Sequence, residues 1–296
     1  MEEERRQLAM KSRPVLRGCL VIILAAAAFI LLLFGLARIG GLSKSIGEKV
    51  AVVPITGVIT ESDQCIAHLK QYGKDNSVKA VVLRINSGGG GVAPSQEIYE
   101  EVRKLNEKKP VLCSMGNVAA SGGYYIAAAA RKVYANPGTM TGSIGVKMPL
   151  MNLKDLADKI GVKGMTIKSG EFKDIGSPLR EMTPQEQEIL QSVVDNVHMQ
   201  FVNAVATGRK LSQEEVMRIA DGRILTGEQA KAVGLIDELG NLEDAVSDAA
   251  KQGGITGEPK VVTPQKSKSS LLSVIREEMR SIIDGKTGEG IPLQLN

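Results

Sequence analysis

A serine set among very small residues carries the strongest chemical signal in the sequence. Ser121 stands in VAASGGYYIAAAA, preceded by two alanines and followed by two glycines and an apolar run. Because glycine has no Cβ and alanine adds little bulk, backbone can approach this serine closely. The apolar run predicts a buried helix with Ser121 at its N-terminus, where free N–H groups favour developing negative charge. Two interpretations follow: a nucleophile beside an oxyanion site, or a serine that caps a core helix.

A run of four glycines supplies a second possible part of a site. The stretch INSGGGGVAPS occupies residues 85–95, between a predicted strand at 78–86 and a predicted helix at 94–108. Open α/β sheets place their binding crevices at such strand ends. A phosphate loop is not indicated, because the Walker lysine followed by serine or threonine is missing. An oxyanion hole is the better interpretation, with one N–H from Gly89 or its neighbour and one from Gly122. A plain structural turn is the alternative.

A serine nucleophile also needs a base. The two histidines, His68 and His198, lie on stretches predicted to be helical and outside glycine-rich turns, so a Ser-His-Asp triad is not expected. A lysine can take this role when burial disfavours its charged form. The stretch IKSGEFKDIGSPLREMT, residues 167–183, offers Lys168 and Lys173, of which Lys173 is the candidate. Spacing alone would make it an ordinary solvated charge.

Composition excludes several other classes of protein. The 296 residues are 43% hydrophobic, which is enough for a sizeable core. A formal net charge of +4, 3% aromatic residues and no tryptophan do not indicate nucleic-acid binding. Cys19, Cys65 and Cys113 are far apart in the sequence and predict neither a disulfide framework nor a zinc site. No metal or cofactor is expected.

The N-terminal part predicts membrane attachment. Residues 1–17 are charged with a basic excess, and residues 18–37 form an uncharged apolar run long enough for a transmembrane helix. The basic flank predicts a cytoplasmic N-terminus, a single span in the cell membrane and an extracytoplasmic remainder. A cleaved signal peptide is the competing interpretation. The apolar run exceeds the usual length of its hydrophobic region, which favours an uncleaved anchor.

The rest of the chain predicts an α/β domain. After a polar linker at 38–49, strands at 49–59, 78–86 and 110–115 alternate with helices at 65–71 and 94–108, which indicates a mostly parallel sheet. Helices dominate after residue 183, where Thr183 and Glu186 form a capping box. Ser212 with Glu215, and Thr226 with Gln229, repeat that pattern. We expect the domain to occupy residues 50–252, followed by a polar, flexible tail at 253–296.

Several motifs together identify a family. NSGGGG, VAASGGYYIA, ANPGTMTGSIGV, GEFKDIGSP and DGRILTGEQAKAVGLIDELGNLEDA, spread from about residue 50 to about residue 250, resemble the signal peptide peptidase A family of membrane-bound serine proteases. The resemblance implies a Clp protease/crotonase-like fold of repeated ββα units and a Ser-Lys dyad. It implies Ser121 as nucleophile, Lys173 as base, Ser143 as the residue that orients the lysine amine, and an oxyanion N–H from Gly89. The family usually has proline where this chain has Gly88.

The resemblance also implies a function. Family members degrade hydrophobic peptides, such as the remnants of cleaved signal peptides, without metal or nucleotide. The serine and lysine are expected to meet across a subunit boundary, so this single-repeat chain should be an obligate homo-oligomer, an octameric ring by analogy. Three alternatives stay open: a crotonase-like acyl-CoA enzyme, a non-catalytic membrane scaffold, and a broader protease that acts on cytoplasmic or misfolded proteins.

Overall fold

The computed structural model of the chain describes residues 22, 24–30, 47–264 and 294–295. The strands are β1 (Lys49–Ile59), β2 (Val78–Gly91), β3 (Val111–Ala120), β4 (Lys132–Ala135), β5 (Met140–Gly142), β6 (Ile224–Thr226), β7 (Glu238–Leu239), β8 (Lys260–Val262) and β9 (Gln294–Leu295). The helices are α1 (Asp63–Lys74), α2 (Val92–Asn106), α3 (Gly122–Ala128), α4 (Lys154–Lys159), α5 (Pro184–Arg209), α6 (Gln213–Met217), α7 (Gly227–Ala232) and α8 (Leu242–Gln252).

The strands form one mostly parallel sheet, as the alternation of strands and helices predicts. Its central order is β6-β5-β3-β2-β1-β8, with β4 beside β3 and β7 beside β4. The pairs β1–β2, β2–β3, β3–β4, β3–β5, β1–β8 and β4–β7 are parallel, and β5–β6 and β2–β9 are antiparallel. The α/β class is therefore confirmed.

Both faces of the sheet are covered, which explains why its central strands are continuously apolar. Along β1, Ala51 and Val53 belong to a large core shared with α1, α2, α3 and α5. Their neighbours Val50 and Val52 belong to a second core shared with α8. Successive residues thus serve opposite faces, as the period of a strand requires.

The run of four glycines, which was predicted to be a turn, is part of a strand in the structure. β2 does not end at residue 86 but continues as strand through Gly91, with Val58 and Ile59 of β1 paired to Gly89 and Gly90. The reason is close packing: a Cβ on Gly90 would lie 2.2 Å from the carbonyl oxygen of Ile59. The four glycines therefore allow two strands to approach each other where side chains would not fit. We call residues 88–91 the glycine edge.

The strand that leads to Ser121 changes neighbours along its length. In β3, residues 112–114 pair with β4 and residues 118–120 pair with β5. The strand is also longer than the predicted 110–115, because it runs on to Ala120. β3 therefore delivers Ser121 to the same edge of the sheet at which β5 ends.

Helix starts follow the predicted signals. Thr183, Ser212 and Thr226 all accept a hydrogen bond from the third helical N–H, and each box is closed by the side chain three residues later. Asn241 begins α8 in the same way, with Asp244 closing its box. Between β5 and α5 the chain makes a long excursion over residues 148–182, in which α4 is the only helix.

The predicted anchor at 18–37 lies mostly outside the described residues. Residues 24–30 are helical, and their side chains are exposed. Among the helices that the structure describes, none combines the length and the apolar character needed to cross a membrane. The predicted N-terminal segment 1–17 and residues 265–293 of the predicted tail 253–296 also fall outside the described part of the chain.

Candidate active site

Ser121 occupies the sharp turn between β3 and α3. Its backbone has φ 52° and ψ −120°, a conformation that residues other than glycine rarely adopt. The turn is held by a hydrogen bond from the Ser121 N–H to the Gly142 carbonyl, at 2.9 Å. Such strain persists only where the surrounding structure enforces it, and it clusters at functional sites. The geometry resembles a nucleophile elbow, in which a strand-to-helix turn presents a serine hydroxyl.

The hydroxyl of Ser121 does not cap the helix. Ser121 stands at the N-cap position, but its side chain accepts no hydrogen bond from α3. The residue is fully buried, and its Oγ has no hydrogen-bond partner within the described part of the chain. A buried hydroxyl without a partner is costly in a purely structural role. The arrangement therefore favours the nucleophile interpretation over the capping one.

The turn packs directly onto the glycine edge. A Cβ on Gly122 would lie 2.6 Å from the Ser95 Oγ and 3.2 Å from the Gly90 nitrogen. A Cβ on Gly123 would lie 2.8 Å from the Ser87 carbonyl oxygen. The structure thus brings Ser121 and Gly122 against the glycine edge, which is far from them in the sequence.

The two predicted oxyanion donors differ in their surroundings. Gly122 is the first residue of α3, so its N–H has no acceptor within the helix. Gly89 has φ +107°, and its N–H donates to the Ser87 hydroxyl at 3.0 Å. Gly89 could therefore serve an oxyanion only by sharing this N–H or by releasing the Ser87 hydroxyl.

Ser143 lies beside Ser121 at the same edge of the sheet. It follows β5 directly, as Ser121 follows β3, and Ala120 pairs with Gly142 in the parallel ladder. Ser143 also has a left-handed backbone, φ 51°, and its N–H donates to the Arg223 carbonyl at 2.8 Å. Two strained serines on neighbouring strand ends are a suitable frame for nucleophile and base-orienting group.

The two candidate lysines are clearly different. Lys168 donates to the Asp174 carboxylate and to the Glu171 carbonyl, each at 2.6 Å. Lys173 is exposed, and its side chain has no hydrogen bond or ion pair with the residues that the structure describes. Lys173 is also not hydrogen-bonded to Ser121, whose Oγ has no partner. Lys173 is therefore the lysine left available, but a single chain does not join it to the serine.

The excursion that carries Lys173 exposes large apolar side chains. Ile167 is 97% exposed and Met165 90% exposed, and Met151 and Ile160 are each 68% exposed. Several large apolar side chains exposed along one segment favour a contact with a protein or a membrane.

The remaining nucleophile and base candidates do not join the site. Burial raises the pKa of both Cys65 and Cys113 to about 12, so neither thiol is readily ionised. His68 lies on α1 and His198 on α5, and neither is bonded to Ser121. The described residues hold no group of three or more histidine, cysteine or acidic side chains that could bind a metal ion.

Two features of the site escape analysis of the sequence. The Ser95 hydroxyl donates to the Gly91 carbonyl at 2.8 Å and lies against Gly122, which fixes the glycine edge beside the turn at Ser121. β9 pairs antiparallel with the glycine edge, Gly90 with Leu295 and Gly91 with Gln294. The position of Ser95 in VAPS at a helix start is a weak signal for the first feature, and no local pattern predicts the second.

Comparison with known proteins gives a consistent result. The model of peptidase family S49 matches residues 103–256, a range that includes Ser121, Ser143 and Lys173. A candidate protease of Synechocystis sp., slr0021, is 45% identical over 209 residues, which cover 70% of this chain and 76% of that protein. A candidate signal peptide peptidase SppA of Enterococcus faecium is 37% identical over 71% of this chain and 65% of that protein. Protease 4 of Salmonella typhi is 36% identical over 69% of this chain, which spans only 35% of its length.

Proposed function

Because the chain belongs to peptidase family S49, we propose that it is a membrane-anchored serine endopeptidase with a Ser121–Lys173 dyad. Its substrates are hydrophobic peptides, including remnants of cleaved signal peptides, on the extracytoplasmic side of the cell membrane. The observation that carries the proposal is the strained, fully buried Ser121, whose unpartnered hydroxyl lies against the glycine edge. The uncharged run at 18–37 supports the membrane anchor.

The proposed reaction is acyl transfer through the serine. Ser121 Oγ attacks the peptide carbonyl carbon while its proton passes to the uncharged amine of Lys173. The carbonyl oxygen becomes an oxyanion, which accepts hydrogen bonds from the N–H groups of Gly122 and Gly89. As the C–N bond breaks, Lys173 returns the proton to the leaving amine. Water then attacks the ester by the same route and releases the acid and the free serine.

The proposal places nucleophile and base on different copies of the chain. Three observations support this arrangement: the Ser121 hydroxyl has no partner, Lys173 has none among the described residues, and the excursion around Lys173 exposes apolar side chains. A second copy that covers this surface could supply Lys173 to a neighbour's Ser121. The expected assembly is a closed homo-oligomeric ring, the form that a head-to-tail contact takes when its rotation closes.

The dyad is tested by hydrolysis of a fluorogenic apolar peptide. Full-length protein in detergent is compared with Ser121→Ala, Lys173→Ala and the control Lys168→Ala, from about pH 6 to about pH 10. The rate should rise with pH as the base loses its proton, and both dyad variants should fall to background. Lys168→Ala should keep the rising profile, because Lys168 is paired to Asp174.

Two outcomes would contradict the assignment. Activity in Lys173→Ala together with loss in Lys168→Ala would transfer the role of base to Lys168. No cleavage by folded, assembled protein would favour the acyl-CoA enzyme or the scaffold, which a coenzyme A binding assay would separate.

The shared site is tested by mixing inactive variants. Ser121→Ala and Lys173→Ala chains are co-expressed with different tags and isolated as mixed assemblies. If serine and lysine come from different copies, some sites in a mixed ring pair an intact serine with an intact lysine, and activity returns. Mixed assemblies that remain as inactive as the single variants would place both groups in one chain.

A further inference from the structure

The residue next to the proposed base is the centre of an ionic cluster. The Asp174 carboxylate accepts from Arg180 Nε at 3.0 Å and from Arg180 Nη2 at 2.9 Å, a bidentate pair. Arg180 Nη2 also donates to the Asp174 backbone carbonyl at 3.1 Å, so the guanidinium binds both side chain and main chain. These bonds hold the pKa of Asp174 well below its usual range, with a further contribution from Lys168.

The same guanidinium reaches the first turn of α5. Arg180 Nη1 donates to Glu186 Oε2 at 2.7 Å, and Nη2 contacts Oε1. Glu186 is almost fully buried, and its carboxylate also accepts from the Thr183 N–H at 2.9 Å to close the capping box. Arg180 therefore joins the turn that holds Lys173 to the fixed N-terminus of the longest helix in the described chain.

The backbone hydrogen bonds of this turn are local. The Lys173 N–H donates to the Gly170 carbonyl at 3.2 Å, and the Ile175 N–H to the Phe172 carbonyl at 3.1 Å. Both bonds lie within the turn and cannot set its place in the molecule. Lys168 also pairs with Asp174 from within the excursion. The contacts of Arg180 are thus the described ionic link between the turn and a helix of the core.

We propose that Arg180 is a positioning residue, which holds the Lys173 turn on α5 so that the Lys173 amine stays free of intrachain partners and reaches the serine site. This inference rests on the proposed function. The cluster gathers both carboxylates, Asp174 and Glu186, around Arg180, with Lys168 on Asp174. Lys173 is thereby spared an ion pair that would hold its proton. An arginine is required because only its planar fork binds two carboxylates bidentately.

The test uses full-length protein in detergent and the same apolar peptide. Arg180→Met should lower kcat by about 100-fold with little change in KM, because a small displacement of a reacting group has an effect of this size. Arg180→Lys should be intermediate, since an ammonium restores charge but not the double fork. The control Arg103→Met removes an exposed pair with Glu100 and should change kcat by no more than about 2-fold.

The pH profile separates positioning from simple stability. In Arg180→Met the charges that remain near the turn include Lys168, Glu171, Asp174, Glu181 and, from α5, Glu186. Asp174 keeps its pair with Lys168, whereas Glu186 loses its ionic partner, so the turn gains net negative charge. This charge favours a protonated amine, and the rising limb of the rate should therefore move to higher pH. If Arg180 had only a structural role, Arg180→Met would lower the melting temperature. The rising limb of the pH–rate profile of the protein that remains folded would then stay at the wild-type pH.

The outcomes distinguish this inference from the proposed function. If Ser121→Ala or Lys173→Ala remains active, the proposed function fails whatever Arg180 does. If both are inactive while Arg180→Met keeps the wild-type kcat and pH limb, the function stands and the positioning role is wrong. Should Arg180→Met not assemble, Asp174→Asn decides, because it weakens the same link while Arg180 stays in place. A lower kcat in assembled protein supports the role, and an unchanged kcat refutes it.

Discussion

The strained backbone conformation of Ser121 is held in place by its neighbours. Its left-handed backbone is held by the bond to the Gly142 carbonyl on one side and by the contact of Gly122 with the glycine edge on the other. Such a conformation costs about 1–3 kcal/mol, which the surrounding packing must supply. The hydroxyl is consequently placed by the backbone rather than by its own hydrogen bonds.

Substitution by alanine should impair catalysis at Gly122 but not at Gly88. Gly122→Ala would push a methyl group into Ser95 Oγ, 2.6 Å away, and towards the Gly90 nitrogen. The Gly122 N–H, the proposed oxyanion donor, would shift with it, so we expect kcat to fall by about 100-fold, the effect of losing one such donor. Gly88→Ala is the control, because a Cβ there has nothing within 4 Å. Equal peptidase activity in the two variants would contradict the proposed contact.

Much of the site could be predicted from residue type. Ser121, Gly122 and Ser143 stand in local motifs whose small residues already indicate close backbone approach. The engagement of the Gly89 N–H by Ser87, and the role of Arg180, could not be predicted. Both depend on side-chain distances set by tertiary packing, and an arginine in a polar loop usually forms a weak surface pair.

At the scale of elements, the parallel pairing of the sheet was predictable, but the lengths of two of its strands were not. Alternating apolar strands and helices predict parallel pairing, and β1 begins and ends as expected at Lys49–Ile59. β2 and β3 both run longer than predicted. Glycine and alanine are poor strand formers locally, so only the tight pairing of Gly90 with Ile59 and of Ala120 with Gly142 extends these strands.

The start of α5 should make stability sensitive to acid. Hydrogen bonds from Arg180 and then from the Thr183 backbone lower the pKa of Glu186 from 4.5 to about 2. A carboxyl whose pKa is lower in the folded state stabilises the fold above its unfolded value, near 4.5, and loses that contribution as pH falls towards 2. Glu186→Gln should therefore have a lower melting temperature than wild type at about pH 6, and this difference in melting temperature should be smaller at about pH 3.

Thermal unfolding at both pH values checks this expectation. Glu100→Gln is the matched control, because it removes a carboxylate from an exposed pair with Arg103, and such pairs contribute little. Suppose the difference in melting temperature between Glu186→Gln and wild type is equal at both pH values. The charge of Glu186 is then not what stabilises the helix start.

At the scale of the whole molecule, β9 covers the edge at which a peptide could bind. β3 turns away into α3 at Ser121, and β9 takes the free side of Gly90 and Gly91 as an antiparallel strand. Peptides that add a strand to a sheet edge use the same backbone groups. Deletion of residues 294–296 should therefore lower KM for the fluorogenic peptide and leave kcat unchanged, because the deletion removes a competitor and no catalytic group.

Kinetics of the deletion variant and of wild type check this competition. Ser121→Ala with the same deletion is the control for background hydrolysis. An unchanged KM, or a fall in kcat with the deletion, would show that β9 does not compete with substrate.

A competitor carried on the same chain has a concentration that dilution cannot reduce. Tethered segments typically act at effective concentrations in the millimolar range. With β9 seated on the glycine edge, a peptide free in water at micromolar levels would rarely displace it. Peptides crowded into the two-dimensional space of a membrane could reach that level. The glycine edge would then work as a threshold, which spares dilute extended chains and admits those that accumulate at the lipid surface.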